Sequence, residues 1–213
     1  MAKYLYGASV QGIQDFIFKT NQLQEIVGAS EIVKSLEAEF EKISGYRKDS
    51  KNILLNAAGN IKAIFEDKTD LEKVVLEFPK IIMQKAYGIT ISQAVVKLRG
   101  EIQTQDEINE LEKKLKIQRN KPSLALDLSL NIMQLAPKTA RPIVKYKTIK
   151  KQNVPLDMAS GAKLQANEEF YKNNPRNQEF TNISDFSNAK SKIAVVHIDG
   201  NGLGQLIPKL DIP

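Results

Sequence analysis

The chain has 213 residues, 42% apolar and 26% charged, a balance that lets a globular protein bury one large core or two small ones. A net charge of +6 mildly favours polyanionic partners such as nucleotides or nucleic acid, with a plain solvated lysine-rich surface standing as the other reading, while the lack of cysteine excludes disulfides and zinc–thiolate sites within these residues and suits a reducing cytoplasm. No apolar run approaches the ~20 residues that span a bilayer, so no membrane partner is expected, and Met1-Ala-Lys-Tyr-Leu-Tyr-Gly7 is too short in apolar residues for a secretory leader.

Tyr4 to Val10 reads as a short strand. From Gln11 to about Phe40, apolar residues recur mostly at three- and four-residue spacing: Phe16, Leu23, Ile26, Val27, then Ile32, Val33, Leu36 and Phe40. Gly28-Ala29-Ser30 interrupts this run, and a break there, with Ser30 capping a second helix, is expected. Ile53–Leu55 and Ile61–Phe65 read as two strands joined through Asn56-Ala-Ala-Gly-Asn60, since Gly59 and Asn60 tolerate positive φ. Asp70 to Tyr87 is an amphipathic helix with Leu71, Val74, Val75, Phe78 and Ile82 on one face, and Pro79 predicts a kink or break in it. Ile89 to Val96 is a strand. The order strand, helices, strand, strand, helix, strand predicts an α+β, ferredoxin-like domain over residues 1–99: an antiparallel sheet with helices on one face.

The character changes from Gly100, and residues 100–190 read as a connector. Thr104-x-x-Glu107 resembles a capping box and opens a charged helix to about Asn120, with Ile108, Leu111 and Leu115 inward. Leu124, Leu126, Leu128, Leu130 and Ile132 alternate strictly, as in a strand. The stretch from Ala136 to Val154, with Pro137, Pro142 and many lysines, reads as loop with short extended pieces. Met158 to Tyr171 reads as a helix, and the Asn-, Pro- and Ser-rich run from Asn173 to Asn188 as a linker. The lysines from Lys138 to Lys151, with Arg141, form either a phosphate-binding run or a solvated loop.

The densest motif lies in residues 191–213. An apolar strand, Ile193 to Ile198, runs into Asp199 and then into Gly200, Asn201, Gly202 and Gly204. A carboxylate at a buried strand end needs a compensating charge, which a divalent metal supplies, and neighbouring glycines let a phosphate approach the backbone. Three readings stand: a plain strand-to-helix turn, a dinucleotide-binding loop, and a nucleotidyltransferase or cyclase site. In the last, Asp199 is a catalytic residue that holds Mg²⁺ or Mn²⁺, which carries a triphosphate. The dinucleotide loop wants its third glycine one residue later and leaves Asp199 facing a pyrophosphate without a cation. His197, the only histidine, would share a strand face with Asp199.

Two segments resemble one family. Gln11-Gly-Ile-Gln-Asp-Phe-Ile-Phe-Lys-Thr-Asn-Gln-Leu-Gln-Glu-Ile-Val-Gly-Ala-Ser-Glu-Ile-Val33 is similar to the first palm domain of the large polymerase–cyclase subunit of type III CRISPR effector complexes, and Val195 to Gly204 is similar to the start of its second palm. Leu54 to Ile64 looks like the first palm's hairpin, and Leu135 to Ile143 resembles the segment before the second palm. The resemblance implies two facing palms that bind ATP and join it into cyclic oligoadenylate signals of antiviral defence. It also implies effector-complex subunits and RNA as partners, a metal on the aspartate matching Asp199, and a nucleotide-contacting surface at Gly28, Ala29 and Ser30. Gly200, Asn201, Gly202 and Gly204 would lie against the nucleotide. The first palm departs from an active one: Asn56-Ala-Ala-Gly-Asn60 carries no carboxylate, and the first strand ends in Ser9-Val-Gln11 without an aspartate. The family's linker cysteines and the acidic hairpin of the second palm are not in the sequence, so a fragment of a longer protein, inactive alone, is expected. The alternative is a non-catalytic palm scaffold for RNA or protein partners. A dinucleotide-binding oxidoreductase is a third, which a parallel sheet around strand 193–198 without a ferredoxin-like first domain would favour.

Overall fold

A computed structural model describes residues 2–47, 49–57, 59–100, 102–121, 130, 132–149, 151–175, 183–190 and 192–194. Among these, the first half builds a four-stranded antiparallel sheet from β1 (Tyr4–Gln11), β2 (Ile53–Ala57), β3 (Asn60–Phe65) and β4 (Thr90–Lys97), in the order β2-β3-β1-β4. β1 is central and pairs antiparallel with both β3 (Leu5 opposite Ile64) and β4 (Leu5 opposite Val96). Between the strands lie α1 (Ile13–Phe18), α2 (Leu23–Ser44) and α3 (Lys68–Lys85). The molecule is thus α+β, and this order and pairing are compatible with a palm or ferredoxin-like domain.

The core follows from the two-residue period of the strands. Tyr6, Ala8 and Val10 of β1 point to one face, where Ile32, Leu36 and Phe40 of α2 and Val74, Phe78 and Ile82 of α3 meet them. Aromatic rings fill the centre. Tyr6 stacks on Phe40 at 6.0 Å and meets Phe65 edge-on at 6.0 Å, while Phe40 meets Phe78 at 5.5 Å. The buried Tyr6 hydroxyl donates to Gln93 Oε1 at 2.6 Å, so no polar atom is stranded there, and burial pushes its pKa far up.

Within residues 1–99 α2 and α3 pack on one face of the sheet, as expected, and a helix of the expected connector covers the other. α4 (Gln105–Arg119) lies on the opposite face, where Leu111 and Leu115 pack with Leu5, Ile64, Ala94 and Val96. Gly7 of β1 allows this approach, since a Cβ there would sit 2.8 Å from Leu111 Cδ2. The capping box is present as expected. Glu107 N donates to Thr104 Oγ1 at 3.4 Å, while the Glu107 carboxylate accepts from Thr104 N at 2.8 Å. It also accepts from Arg99 N at 2.6 Å, and these donors hold the carboxyl below its usual range.

Two expectations change. α2 runs unbroken through Gly28-Ala29-Ser30, and Ser30, instead of capping, donates its hydroxyl back to the Ile26 carbonyl at 3.0 Å. The interruption falls earlier, between α1 and α2. α3 passes Pro79 without a break, one of the two outcomes expected there. The 136–154 stretch holds a hairpin, β5 (Lys145–Ile149) paired with β6 (Gln152–Leu156), whose turn residue Lys151 takes φ of 65°. Then α5 (Met158–Asn173) forms as expected, with Asp157 Oδ1 accepting from Ser160 N at 2.9 Å as its N-cap. α5 packs along α2, so helices from the expected connector lie directly on the first domain's elements. The strand expected over 124–132 falls largely outside the described residues. So does the 193–198 strand beyond Ala194, with the whole Asp199 motif. Among the described residues no helix is long and apolar enough to cross a membrane.

Candidate functional site

One end of the sheet gathers polar side chains from three distant parts of the chain. Ser9, near the end of β1, faces the α4 side and is buried. Its hydroxyl donates to Asn60 Oδ1 at 3.0 Å and accepts from Gln11 Nε2 at 3.2 Å and from Arg119 Nη2 at 3.2 Å. One donor and two lone pairs are then all engaged. Asn60 opens β3 directly opposite Ser9, and Arg119 closes α4, so the site needs β1, the β2–β3 turn and α4 in place together. Gly59 makes the turn at φ of 76°, its carbonyl accepting from Val10 N at 2.8 Å, and a Cβ there would meet Ile13 Cδ1 at 2.7 Å. The start of α1 therefore sits against the turn.

Ser9, Gln11 and Asn60 are neutral, Arg119 stands on Ser9, and a second guanidinium, Arg141, lies against Gly88 just before β4 begins opposite Gln11. The oxygens of Ser9 and Asn60 are a hydroxyl and an amide, and Arg119 stands beside them as a cation. Such a donor set repels a dication and suits an anion or a polar ring edge. Among the described residues no three of His, Asp and Glu converge as metal ligands. Ser9, Asn60 and Arg119 do not fit Mg²⁺ or Mn²⁺.

A second polar cluster lies under α5. Glu25 of α2, Asp157 and Lys163 are buried, with Lys163 only 1% exposed. Glu25 Oε2 accepts from Thr20 Oγ1 at 2.7 Å and from Ser160 Oγ at 3.0 Å. Asp157 Oδ2 accepts from Thr139 Oγ1. The Lys163 ammonium donates to the Phe16 carbonyl and lies 4.4 Å from the Phe16 ring centre. Burial pushes the Lys163 pKa down, against the opposing pull of Glu25 and Asp157.

The sequence-expected residues divide between these places. Gly28 is where α5 crosses α2, since an added Cβ would fall on the Lys163 carbonyl oxygen. Ala29 is fully buried in the core, and Ser30 is exposed. Asp199, Gly200, Asn201, Gly202, Gly204 and His197 lie outside the described residues. Of the Lys138–Lys151 run, Arg141 stacks 5.8 Å over the Tyr87 ring, Lys147 pairs with Glu168, and the Lys145 stem lies over Gly161. Arg119 and Lys163 were not singled out from sequence. Each sits in a charged or mixed helix where it looks like any solvated cation, and no local spacing marks it. A groove of about 550 Å³ between α2, α3 and α5 is lined by none of the sheet-end residues.

No family model matches the chain, and no curated protein matches it. Among solved structures, a Csm1–Csm4 cassette in complex with cA4 is similar at 19% identity and a TM-score of 0.44, over 55% of this chain and 19% of that one. The cassette in complex with one ATP is similar at 18% identity and a TM-score of 0.44, over 55% and 18%. The apo cassette follows at 19% and 0.42. The matched part thus spans about a fifth of those chains. At these values the functional reading has to come from this chain's own residues.

Proposed function

We propose that this chain is the first palm and connector of a two-palm nucleotidyltransferase or cyclase of the type III CRISPR large-subunit kind. Its palm offers a nucleotide-contacting surface without holding catalytic metal. The observation that carries this reading is the sheet end. Where an active palm of this order keeps carboxylates, Ser9, Gln11 and Asn60 stand with Arg119. A triphosphate would take charge-assisted hydrogen bonds from Arg119, and the base or ribose edge would meet the neutral groups. The sequence resemblance supports ATP as the nucleotide and a cyclic oligonucleotide as the product of the parent protein. Metal chemistry on Asp199, with Gly200 to Gly204 against the nucleotide, rests on that resemblance alone.

Equilibrium titration of the chain with ATP tests the reading. Wild type should bind, and Arg119→Ala should weaken binding by about tenfold, the loss of one charge-assisted contact of roughly 1.4 kcal/mol. Equal affinity in both proteins would remove Arg119 and the sheet end from the site. ATP should not be turned over by the chain alone.

A scaffold role is the second reading. Leu76 and Met83 of α3 and Ile117 of α4 are exposed, and Val75 and Ile117 border a groove along β4, the end strand of the described sheet. Carboxylates in the second palm's hairpin of a longer parent would favour the enzyme, and neutral residues there the scaffold.

A further inference from the structure

α1 is only six residues long, yet it joins the sheet end to the buried cluster under α5. Its first turn begins at Gly12, whose φ of 72° is a left-handed conformation that glycine adopts without strain. The Gly12 carbonyl accepts from Phe16 N at 2.8 Å. Gln11, one residue before, hydrogen-bonds to Ser9, and Ile13, one residue after, lies against the Gly59 turn. At the other end, the Phe16 carbonyl is one of the four that a helix cannot satisfy internally. Lys163 of α5 satisfies it from 147 residues away, placing a cation at the negative end of the short helix. So short a helix is marginal without such outside support.

From this chain of contacts we infer that Lys163 is a positioning residue: through the Phe16 carbonyl, α5 sets the place of α1 and so the Gln11–Gly12 rim of the nucleotide site. The inference rests on the nucleotide reading above. It makes α5 of the connector a part of the site, alongside Arg119 of α4. Glu25 and Asp157 hold the ammonium's surroundings through Ser160, whose hydroxyl lies 3.0 Å from Glu25 Oε2 and 3.3 Å from Asp157 Oδ2. Movement of α5 along α2 would carry Lys163, and with it the last turn of α1.

Hydrogen exchange and ATP titration on the whole chain, wild type against Lys163→Met, test this. Met keeps the stem's packing and removes the donor. Exchange at residues 12–18 should rise while β1 amides keep their protection. ATP affinity should fall about fivefold, at the low end of typical couplings between sites. Should Lys163→Met fail to fold because Glu25 is left without a cation, the double variant Glu25→Gln/Lys163→Met removes both charges and carries the same expectation. Unchanged exchange at 12–18 overturns the positioning role. Faster exchange with unchanged ATP affinity overturns the link to the site and leaves the nucleotide reading intact. A wild type that does not bind ATP sinks the nucleotide reading and this inference with it, whereas α1 would still loosen in the variant.

Discussion

The two sides of α2 are held by opposite means. Toward the sheet, Ile32, Leu36 and Phe40 meet Tyr6, Phe65 and Phe78 in a dry aromatic core. Toward α5, Glu25 lies among Thr20, Ser160, Asp157 and Lys163, with charges inside the fold. Apolar burial is non-directional and roughly proportional to area, so the first seam tolerates many arrangements of similar volume. Buried charges need particular partners at particular distances, so the second seam specifies one register of α5 on α2. The first seam supplies stability, and the second supplies position.

Breaking the dry seam should have the largest effect. Phe78→Ala should destabilise the chain by about 3–5 kcal/mol, read as a lower denaturation midpoint, because a cavity opens among Phe40 and its neighbours. Next comes the crossing point of the wet seam. Gly28→Ala places its Cβ on the Lys163 carbonyl, and backbone cannot swing aside as a side chain can. A cost of about 1–3 kcal/mol is expected despite alanine's better helix propensity, with faster exchange concentrated in α5. A stabilised Gly28→Ala protein would show that the two helices have room to part.

Ser160→Ala sharpens the contrast further, since it deletes one hydroxyl shared by two buried carboxylates. A loss of about 1–3 kcal/mol in chemical denaturation is expected, more than its small volume would cost in the dry seam. The smallest effect concerns α4. The donors on Glu107 depress its folded pKa below that of the unfolded chain. Its stabilisation is then present above the unfolded value of about 4.3 and lost as pH falls through the folded pKa. Glu107→Gln should therefore flatten the acid limb of a stability–pH curve and leave its neutral plateau's slope unchanged. An acid limb identical to wild type would count against the capping box as its origin.

The parts of the fold legible from sequence are those governed by near neighbours. The strand and helix periods of β1, β3, α3 and β4 can be read from apolar spacing, and Thr104-x-x-Glu107 announces α4 because its bonds span three residues. The errors share a cause. Gly28 looks like a helix breaker, but its small size answers a backbone that arrives from residue 163. Pro155 and the lysines mask the 145–156 hairpin in the sequence. In a two-stranded ribbon every strand is an edge, so proline fits where a central strand would refuse it. The sheet end depended on a bond between residues 9 and 119, a separation of 110 that no local pattern encodes.

Composition, period and capping settled by themselves the strand character of β1, β3 and β4 and the helical character of α3, α4 and α5. Those properties arise from each residue's own torsional preferences and hydrophobicity. Only the tertiary structure decided that α4 shields the second face of the sheet, that Arg119 stands over Ser9, and that Lys163 grips the end of α1. These arrangements depend on where distant backbones come to rest, which is set by the summed packing of the whole chain.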